Sequence, residues 1–127
     1  MNISLVITTY ERYDTFLKNN LLKYLENEKK PLKALNLKDK IHFIFVGTLT
    51  DGKNPLYAIQ LVEALSSRGY DVYLDLFGEG IERKVLEKYI ASNRLENFIK
   101  LNGNQNKETL KKAYQESHFV VLPSLSE

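Results

Sequence analysis

The sequence predicts an α/β fold in which a doubly wound parallel sheet is covered by helices. From Ile41 onward, apolar strand-like runs alternate with amphipathic helical segments in the order β-α-β-α-β-α-β. The strands are almost continuously apolar, which is typical of parallel strands that are buried on both faces. Glycine follows three of the four strands, at the edge where such sheets bind ligands. Together these observations predict a Rossmann-like sheet.

The apolar runs and the helical spacers between them fix the expected order of elements. Right-handed crossovers between parallel strands predict the strand order 3-2-1-4, with the fourth strand at one edge of the sheet. The apolar run Phe119–Leu122 of that strand would lack a partner unless another chain or the N-terminal segment covers it, and an uncovered edge would allow self-association. The predicted strands span residues 41–47, 72–77, 98–102 and 119–123, and the predicted helices span residues 56–68, 81–91 and 107–116.

Residues 1–40 precede this alternating pattern. Ile3–Thr9 is rich in β-branched residues and predicts a short strand. From Thr15, leucine and phenylalanine recur at helical spacing until Pro31. We therefore expect residues 1–40 to form a strand and a helix that lead into the main domain.

Composition excludes several classes of protein. Hydrophobic residues make up 43% and charged residues 27% of the 127 residues, as in soluble globular domains. The formal net charge of +2 is too small to indicate nucleic-acid binding. There is no cysteine for disulfides or zinc. The two histidines lie in apolar runs, so we expect packed histidines and no metal site. The absence of a signal peptide or a long apolar run predicts a cytoplasmic protein.

The stretch Ile41–Pro55 carries the first candidate binding loop. A strand ends at Gly47, and Asn54 and Pro55 are typical of the N-cap and first position of a helix. Lys53 places a positive charge beside that helix N-terminus, which suits an anionic ligand. An ordinary strand-to-helix turn with a solvated lysine explains the same residues, and this alternative stays open at this stage.

Three segments carry a resemblance to a known family. VGTLTDGKNP, LFGEG and the final stretch that begins at Ile99 and ends in Pro-Ser-x-x-Glu resemble the donor-binding, C-terminal domain of GT-B retaining glycosyltransferases, called group 1 or family 4. The resemblance covers residues 41–127. It implies that residues 41–127 form the first part of a nucleotide-sugar-binding Rossmann-like domain, incomplete at its C-terminus.

The resemblance assigns roles to residues of the first loop and the C-terminus. Gly47 matches the glycine that lets the loop approach the donor, and Lys53 matches the lysine that binds the donor's diphosphate. Glu127 matches the first glutamate of a Glu-x7-Glu motif, which contacts hydroxyls of the transferred sugar and is the catalytic candidate. Thr48 stands where many members carry an arginine, so one diphosphate contact is expected to be lost or moved.

Further positions match backbone that lines the pocket for the donor's base. These are Gly78, Gly80, Gly103 and Asn104. The family often has a proline at the position of Ile81. The resemblance implies no metal and no cofactor, only a nucleotide-sugar substrate such as a UDP- or GDP-sugar.

The implied function is the donor-binding part of an enzyme that transfers a sugar, with retention, to a glycan or lipid-linked acceptor. The acceptor would bind through an N-terminal domain that is not found in the sequence, and the second glutamate would lie beyond Glu127. We therefore expect a partial domain that is inactive alone, in the cytoplasm or peripheral at the inner face of the membrane.

Three alternative interpretations fit parts of the sequence. A non-catalytic nucleotide-binding or interaction module with the same fold is the main alternative, favoured by Thr48 and the early end of the sequence. The opening stretch ISLVITTYERYDTFL is also similar to GT-A, family-2 glycosyltransferases, but the Asp-x-Asp that those enzymes need for a divalent cation is absent. A response-regulator-like receiver domain needs acidic residues where Gly47 and Thr48 stand, and is discarded.

Overall fold

The computed structural model describes residues 5–7, 21–23 and 40–123. Glu127 and most of the helix predicted from Thr15 lie outside these residues, although residues 21–23 are helical. Five strands and three complete helices are defined in the described part of the chain: β1 (Leu5–Ile7), β2 (Ile41–Val46), α1 (Pro55–Ser67), β3 (Val72–Phe77), α2 (Arg83–Ser92), β4 (Ile99–Leu101), α3 (Lys107–Glu116) and β5 (Phe119–Val121).

The described strands form one parallel sheet in the order β1-β5-β2-β3-β4. The predicted order of the four main strands is thereby confirmed. The longest ladder joins β2 and β3 over six residue pairs, from Ile41 opposite Val72 to Val46 opposite Phe77. These two strands are central, so their carboxyl ends lie in the middle of the ligand-binding edge.

The prediction that the fourth strand forms an edge of the sheet is wrong, because the N-terminal segment covers it, as the sequence left open. β5 is flanked by β2 on one side and by β1 on the other, with Leu5 opposite Phe119 and Ile7 opposite Val121. The reason is that β1 satisfies the backbone hydrogen bonds of a strand whose own three residues are buried. Self-association through an open β5 edge therefore loses its structural basis.

Two apolar clusters cover the two faces of the sheet. Ile41, Phe43 and Phe45 of β2 point into the larger cluster, which contains the buried faces of α1 and α2. Ile44 points into the smaller cluster, where Leu110 of α3 packs on the sheet. Alternate residues of one strand thus contact helices on opposite faces, which confirms the doubly wound α/β architecture.

The two histidines join the amino ends of β2 and β5. The His42 N–H donates to Nδ1 of His118 at 3.0 Å, and the His118 N–H donates to the His42 carbonyl at 2.9 Å. The His42 ring also lies 5.0 Å from the ring of Tyr73, centroid to centroid. Both histidines are half-buried, as expected for packed side chains. Burial, with Asp75 nearby, raises the pKa of Tyr73.

No helix in the described ranges is long and apolar enough to cross a membrane.

Candidate functional site

Backbone hydrogen bonds tie together the loops that follow β2, β3 and β4. The Gly47 N–H donates to the Phe77 carbonyl at 3.0 Å, and the Leu49 N–H donates to the Glu79 carbonyl at 3.0 Å. On the other side, the Gly78 N–H donates to the Gly103 carbonyl at 2.9 Å. The pairing of the central strands therefore continues into their loops, and the carboxyl edge of the sheet has a fixed shape.

Gly78 is required by the closeness of two backbones. Its φ is +142°, and a Cβ at this position would lie 1.8 Å from the carbonyl oxygen of Gly47. No L-amino acid with a side chain fits there without moving the main chain. The β2 and β3 loops approach this closely because residue 78 has no side chain.

Gly80 makes a second close approach, to the loop after β2. A Cβ at Gly80 would lie 2.4 Å from the carbonyl oxygen of Leu49. The same carbonyl accepts a hydrogen bond of 2.9 Å from the Glu82 N–H, and the Leu49 side chain is almost fully buried. Leu49 thus anchors the first loop, and Gly80 permits that anchoring. The close approach to Leu49 is sufficient to explain why residue 80 is glycine, and no contact with a ligand is needed.

A cleft opens between these loops and the beginning of α3. Its volume is about 150 Å³. It contains four residues that the sequence predicted for the binding site, namely Gly47, Thr48, Gly78 and Asn104. The described residues that line it are Val46, Gly47, Thr48, Phe77, Gly78, Glu79, Asn104, Gln105 and Leu110.

The other predicted binding residues do not line this cleft. Gly103 lies behind its wall, where its carbonyl accepts the hydrogen bond from Gly78 and its φ is +70°. Gly80 contacts Leu49 instead. Lys53 is exposed on the loop before α1, and Glu127 is not among the described residues.

The N-terminus of α1, next to Lys53, is not capped by a side chain. Asn54 is the N-cap residue, as predicted, but it has a left-handed conformation with φ of 56° and makes no capping hydrogen bond. Pro55 is the first helical residue, and the first turn contains no acidic residue. At α3, by contrast, Asn106 accepts from the Thr109 N–H at 2.8 Å. No carboxylate in the first turn of α1 therefore compensates the positive end of the helix dipole.

The sequence did not predict the apolar and acidic walls of the cleft. Val46, Phe77 and Leu110 were assigned to strands and a helix, and their place in the cleft follows from the way α3 packs on the sheet. Glu79 was available as a signal, since it stands between the two glycines that were selected. Gln105 follows Asn104 directly and was missed in the same way.

Among the described residues that line the cleft, Glu79 is the one that has an ionisable side chain. One of its oxygens accepts a hydrogen bond of 2.7 Å from Nη1 of Arg83, and Glu87 accepts one of 3.0 Å from Nε of the same guanidinium. The bonds to Glu87 and Glu79 raise the pKa of Arg83. The guanidinium of Arg83 thus binds both carboxylates and orients the side chain of Glu79, a residue that lines the cleft.

The lining of the cleft combines apolar and polar residues. Phe77 and Leu110 are apolar, and Thr48, Asn104 and Gln105 carry side chains that can form hydrogen bonds. Gln105 uses its amide nitrogen to donate to the Asn102 carbonyl at 2.8 Å, so its oxygen is left as an acceptor. Within the described ranges, no group of three or more histidine or acidic residues is arranged to hold a metal ion.

Comparison with known proteins identifies relatives of the chain. The chain is 30% identical over 96 residues to the "UDP-N-acetylglucosamine--peptide N-acetylglucosaminyltransferase GtfA subunit" of Limosilactobacillus reuteri subsp. suis, a match that covers 76% of the chain and 18% of the relative. It is 40% identical over 45 residues to the protein of the same name from Streptococcus agalactiae, a match that covers 35% of the chain and 9% of that relative. The chain thus spans less than a fifth of the curated relatives it matches.

Solved structures share the fold. The pneumococcal O-GlcNAc transferase GtfA, in complex with UDP and GlcNAc, superposes on 86% of the chain with a TM-score of 0.52 and 20% sequence identity. A mutant of S. aureus TarM, in complex with fondaparinux, alpha-GlcNAc-glycerol and UDP, superposes on 92% with a TM-score of 0.57 and 16% identity. The chain covers 24% of each of these proteins.

The sequence model of the family "Glycosyl transferases group 1" matches residues 22–127, which is most of the chain. This match includes β2 to β5 and all the loops that form the cleft. The chain therefore belongs to the group 1 glycosyltransferases of the GT-B fold.

Proposed function

We propose that this chain supplies the donor-binding part of a retaining glycosyltransferase, and that its cleft holds the nucleoside end of a nucleotide sugar. The observation that carries the proposal is the lining of the cleft. Gly47, Gly78 and Asn104, which the family resemblance assigns to the donor site, meet there with Thr48, which stands where many members carry an arginine, at the carboxyl ends of parallel strands. The division into residues 1–40 and 41–127 is part of the same proposal.

The size of the cleft supports a part of the donor as its occupant. Pockets for whole ligands usually have volumes of about 300–1,000 Å³, whereas this cleft has a volume of about 150 Å³. A nucleobase with its ribose at the rim fits this description better than a whole nucleotide sugar. The faces of the base would contact Phe77 and Leu110, and its edges would bond to backbone and amide groups.

The diphosphate would bind at Lys53 and the N-terminus of α1. Lys53 is exposed, and the first turn of α1 has neither a side-chain cap nor an acidic residue. Fixed positive charge at this place would stabilise the diphosphate as it leaves. Glu127 would then orient the transferred sugar, as the family resemblance implies. Thr48 lines the cleft at the position where many members carry a further cation.

The names of the relatives make UDP-N-acetylglucosamine the first donor to test. The acceptor is proposed to be a glycan or a lipid-linked group, bound by a separate domain. The 127-residue chain, which spans less than a fifth of these relatives, is proposed to bind a donor without transferring its sugar.

The proposal is tested by titrating UDP-N-acetylglucosamine, to millimolar concentration, into the ¹⁵N-labelled chain. We expect the amide signals of Gly47, Gly78, Glu79 and Asn104 to shift, with further shifts at Lys53. An assay for released UDP, run on the same sample, should give no turnover. Shifts confined to other regions, or no shifts, would contradict the proposal. Shifts at the cleft with sugar transfer would contradict the expected inactivity alone.

A further inference from the structure

Glu79 is the acidic residue among the described residues that line the cleft, and none of these residues is basic. The polar side chains of the cleft are Thr48, Glu79, Asn104 and Gln105. A carboxylate accepts hydrogen bonds and donates none. A ligand N–H or O–H can therefore bond to the Glu79 side chain, whereas an ionised diphosphate, which offers only acceptor oxygens, cannot.

An ion pair orients the Glu79 carboxylate, and a backbone hydrogen bond holds its main chain. Arg83 binds one of its oxygens at 2.7 Å, and Glu87 holds the guanidinium of Arg83 from the other side at 3.0 Å. The lack of a side chain at Gly103 leaves room for the same oxygen, since a Cβ on Gly103 would come within 2.9 Å of it. The backbone of Glu79 is held as well, because its carbonyl accepts from the Leu49 N–H.

The Glu79 side chain is nevertheless accessible. It is 47% exposed, and Glu79 is itself a lining residue of the cleft. The ion pair with Arg83 uses one oxygen and leaves the carboxylate further acceptor sites for a ligand. A carboxylate that is both positioned and accessible is suited to recognition, because little side-chain freedom is lost when it accepts a hydrogen bond.

We propose that Glu79 is a specificity-determining residue of this cleft, which accepts a hydrogen bond from an N–H or O–H of the nucleoside and keeps the phosphates of the donor out. This inference rests on the proposed function, since it names the residue that orients the donor in the cleft. The phosphates are then directed to the loop of Lys53. Recognition of the nucleoside and of the diphosphate is thereby divided between the cleft and the α1 loop.

The test compares Glu79→Gln with Glu87→Gln. Both variants remove one negative charge from a partner of Arg83, but only residue 79 lines the cleft. Each ¹⁵N-labelled protein is titrated with uridine and, separately, with inorganic pyrophosphate. We expect Glu79→Gln to weaken uridine binding about tenfold, because a bond to a charged acceptor becomes a bond to a neutral one. Pyrophosphate affinity at the Lys53 loop should stay unchanged or rise, and Glu87→Gln should bind uridine like the unmodified chain.

Each outcome has one meaning. If Glu79→Gln binds uridine as well as the unmodified chain does, Glu79 does not recognise the nucleoside, and the proposed function stands. If both variants lose uridine binding equally, Glu79 acts only by holding Arg83, and the inference is overturned. If pyrophosphate shifts the signals of Gly78 and Asn104 in the unmodified chain, the cleft accepts phosphate and the inference fails. If uridine does not shift the cleft signals at all, the proposed function fails, and the role of Glu79 with it.

Discussion

Replacement of Gly78 by alanine should disrupt the shape of the cleft. The new Cβ would lie 1.8 Å from the carbonyl oxygen and 2.8 Å from the carbonyl carbon of Gly47, and both atoms belong to the backbone. The φ of +142° adds conformational strain of about 1–3 kcal/mol. Relief of the overlap, which requires the β2 and β3 loops to separate, adds about 1–3 kcal/mol. We expect Gly78→Ala to lose roughly 2–6 kcal/mol of unfolding free energy in urea titrations, or to fail to fold.

Gly69→Ala is the matched control for that experiment. Gly69 also has a positive φ, +93°, but a Cβ there would meet no atom within 4 Å. Gly69→Ala should lower the unfolding free energy only through backbone strain, by about 1–2 kcal/mol. Hydrogen exchange at the amides of Gly47 and Gly78, which bond across the loops, should accelerate in Gly78→Ala and not in Gly69→Ala. If the two variants were equally stable and equally protected, the close approach of the loops would be refuted.

Three further substitutions test separate parts of the structure. Lys53→Ala should weaken UDP binding about ten- to a hundredfold in calorimetry, because one charge-assisted contact is removed. The folding midpoint should stay unchanged. An unchanged affinity for UDP would place the phosphates elsewhere. Asn106→Ala should lower the unfolding free energy by about 1 kcal/mol in urea titrations, because the cap on the Thr109 N–H is lost; an unaltered midpoint would contradict this capping role. His118→Ala should lower the unfolding free energy by about 1–3 kcal/mol in the same assay, because the His42 N–H loses its acceptor. His118→Asn keeps an acceptor and should recover part of the lost unfolding free energy.

The order of the main strands was predictable because it depends on local patterns. Short apolar runs, separated by helices, leave few arrangements for a parallel sheet once right-handed crossovers are imposed. The helix bounds were also close, since Pro55 and Gly69 mark the ends of α1 clearly. The position of β1 was not predictable in the same way, because its pairing with β5 joins residues more than a hundred positions apart.

The candidate site was predicted in part. Glycines were easy to select from the sequence, but the structural reason for glycine differs from position to position. Gly47 lines the cleft, Gly78 avoids a backbone clash, and Gly80 makes room for Leu49. The sequence alone does not separate a glycine that admits a ligand from one that admits another loop. Glu79 was not selected, although it stands between two selected glycines and four residues from Arg83, because its place beside the cleft follows from the folded positions of β3 and α3.

A crystal structure of the chain with UDP tests the division of the donor between the cleft and the α1 loop most directly. We expect the uracil ring to contact Phe77 and Leu110, with a ring or ribose donor bonded to Glu79, and the diphosphate to lie beside Lys53 at the N-terminus of α1. A diphosphate in the cleft, or UDP bound away from the carboxyl edge of β2 and β3, would contradict this assignment.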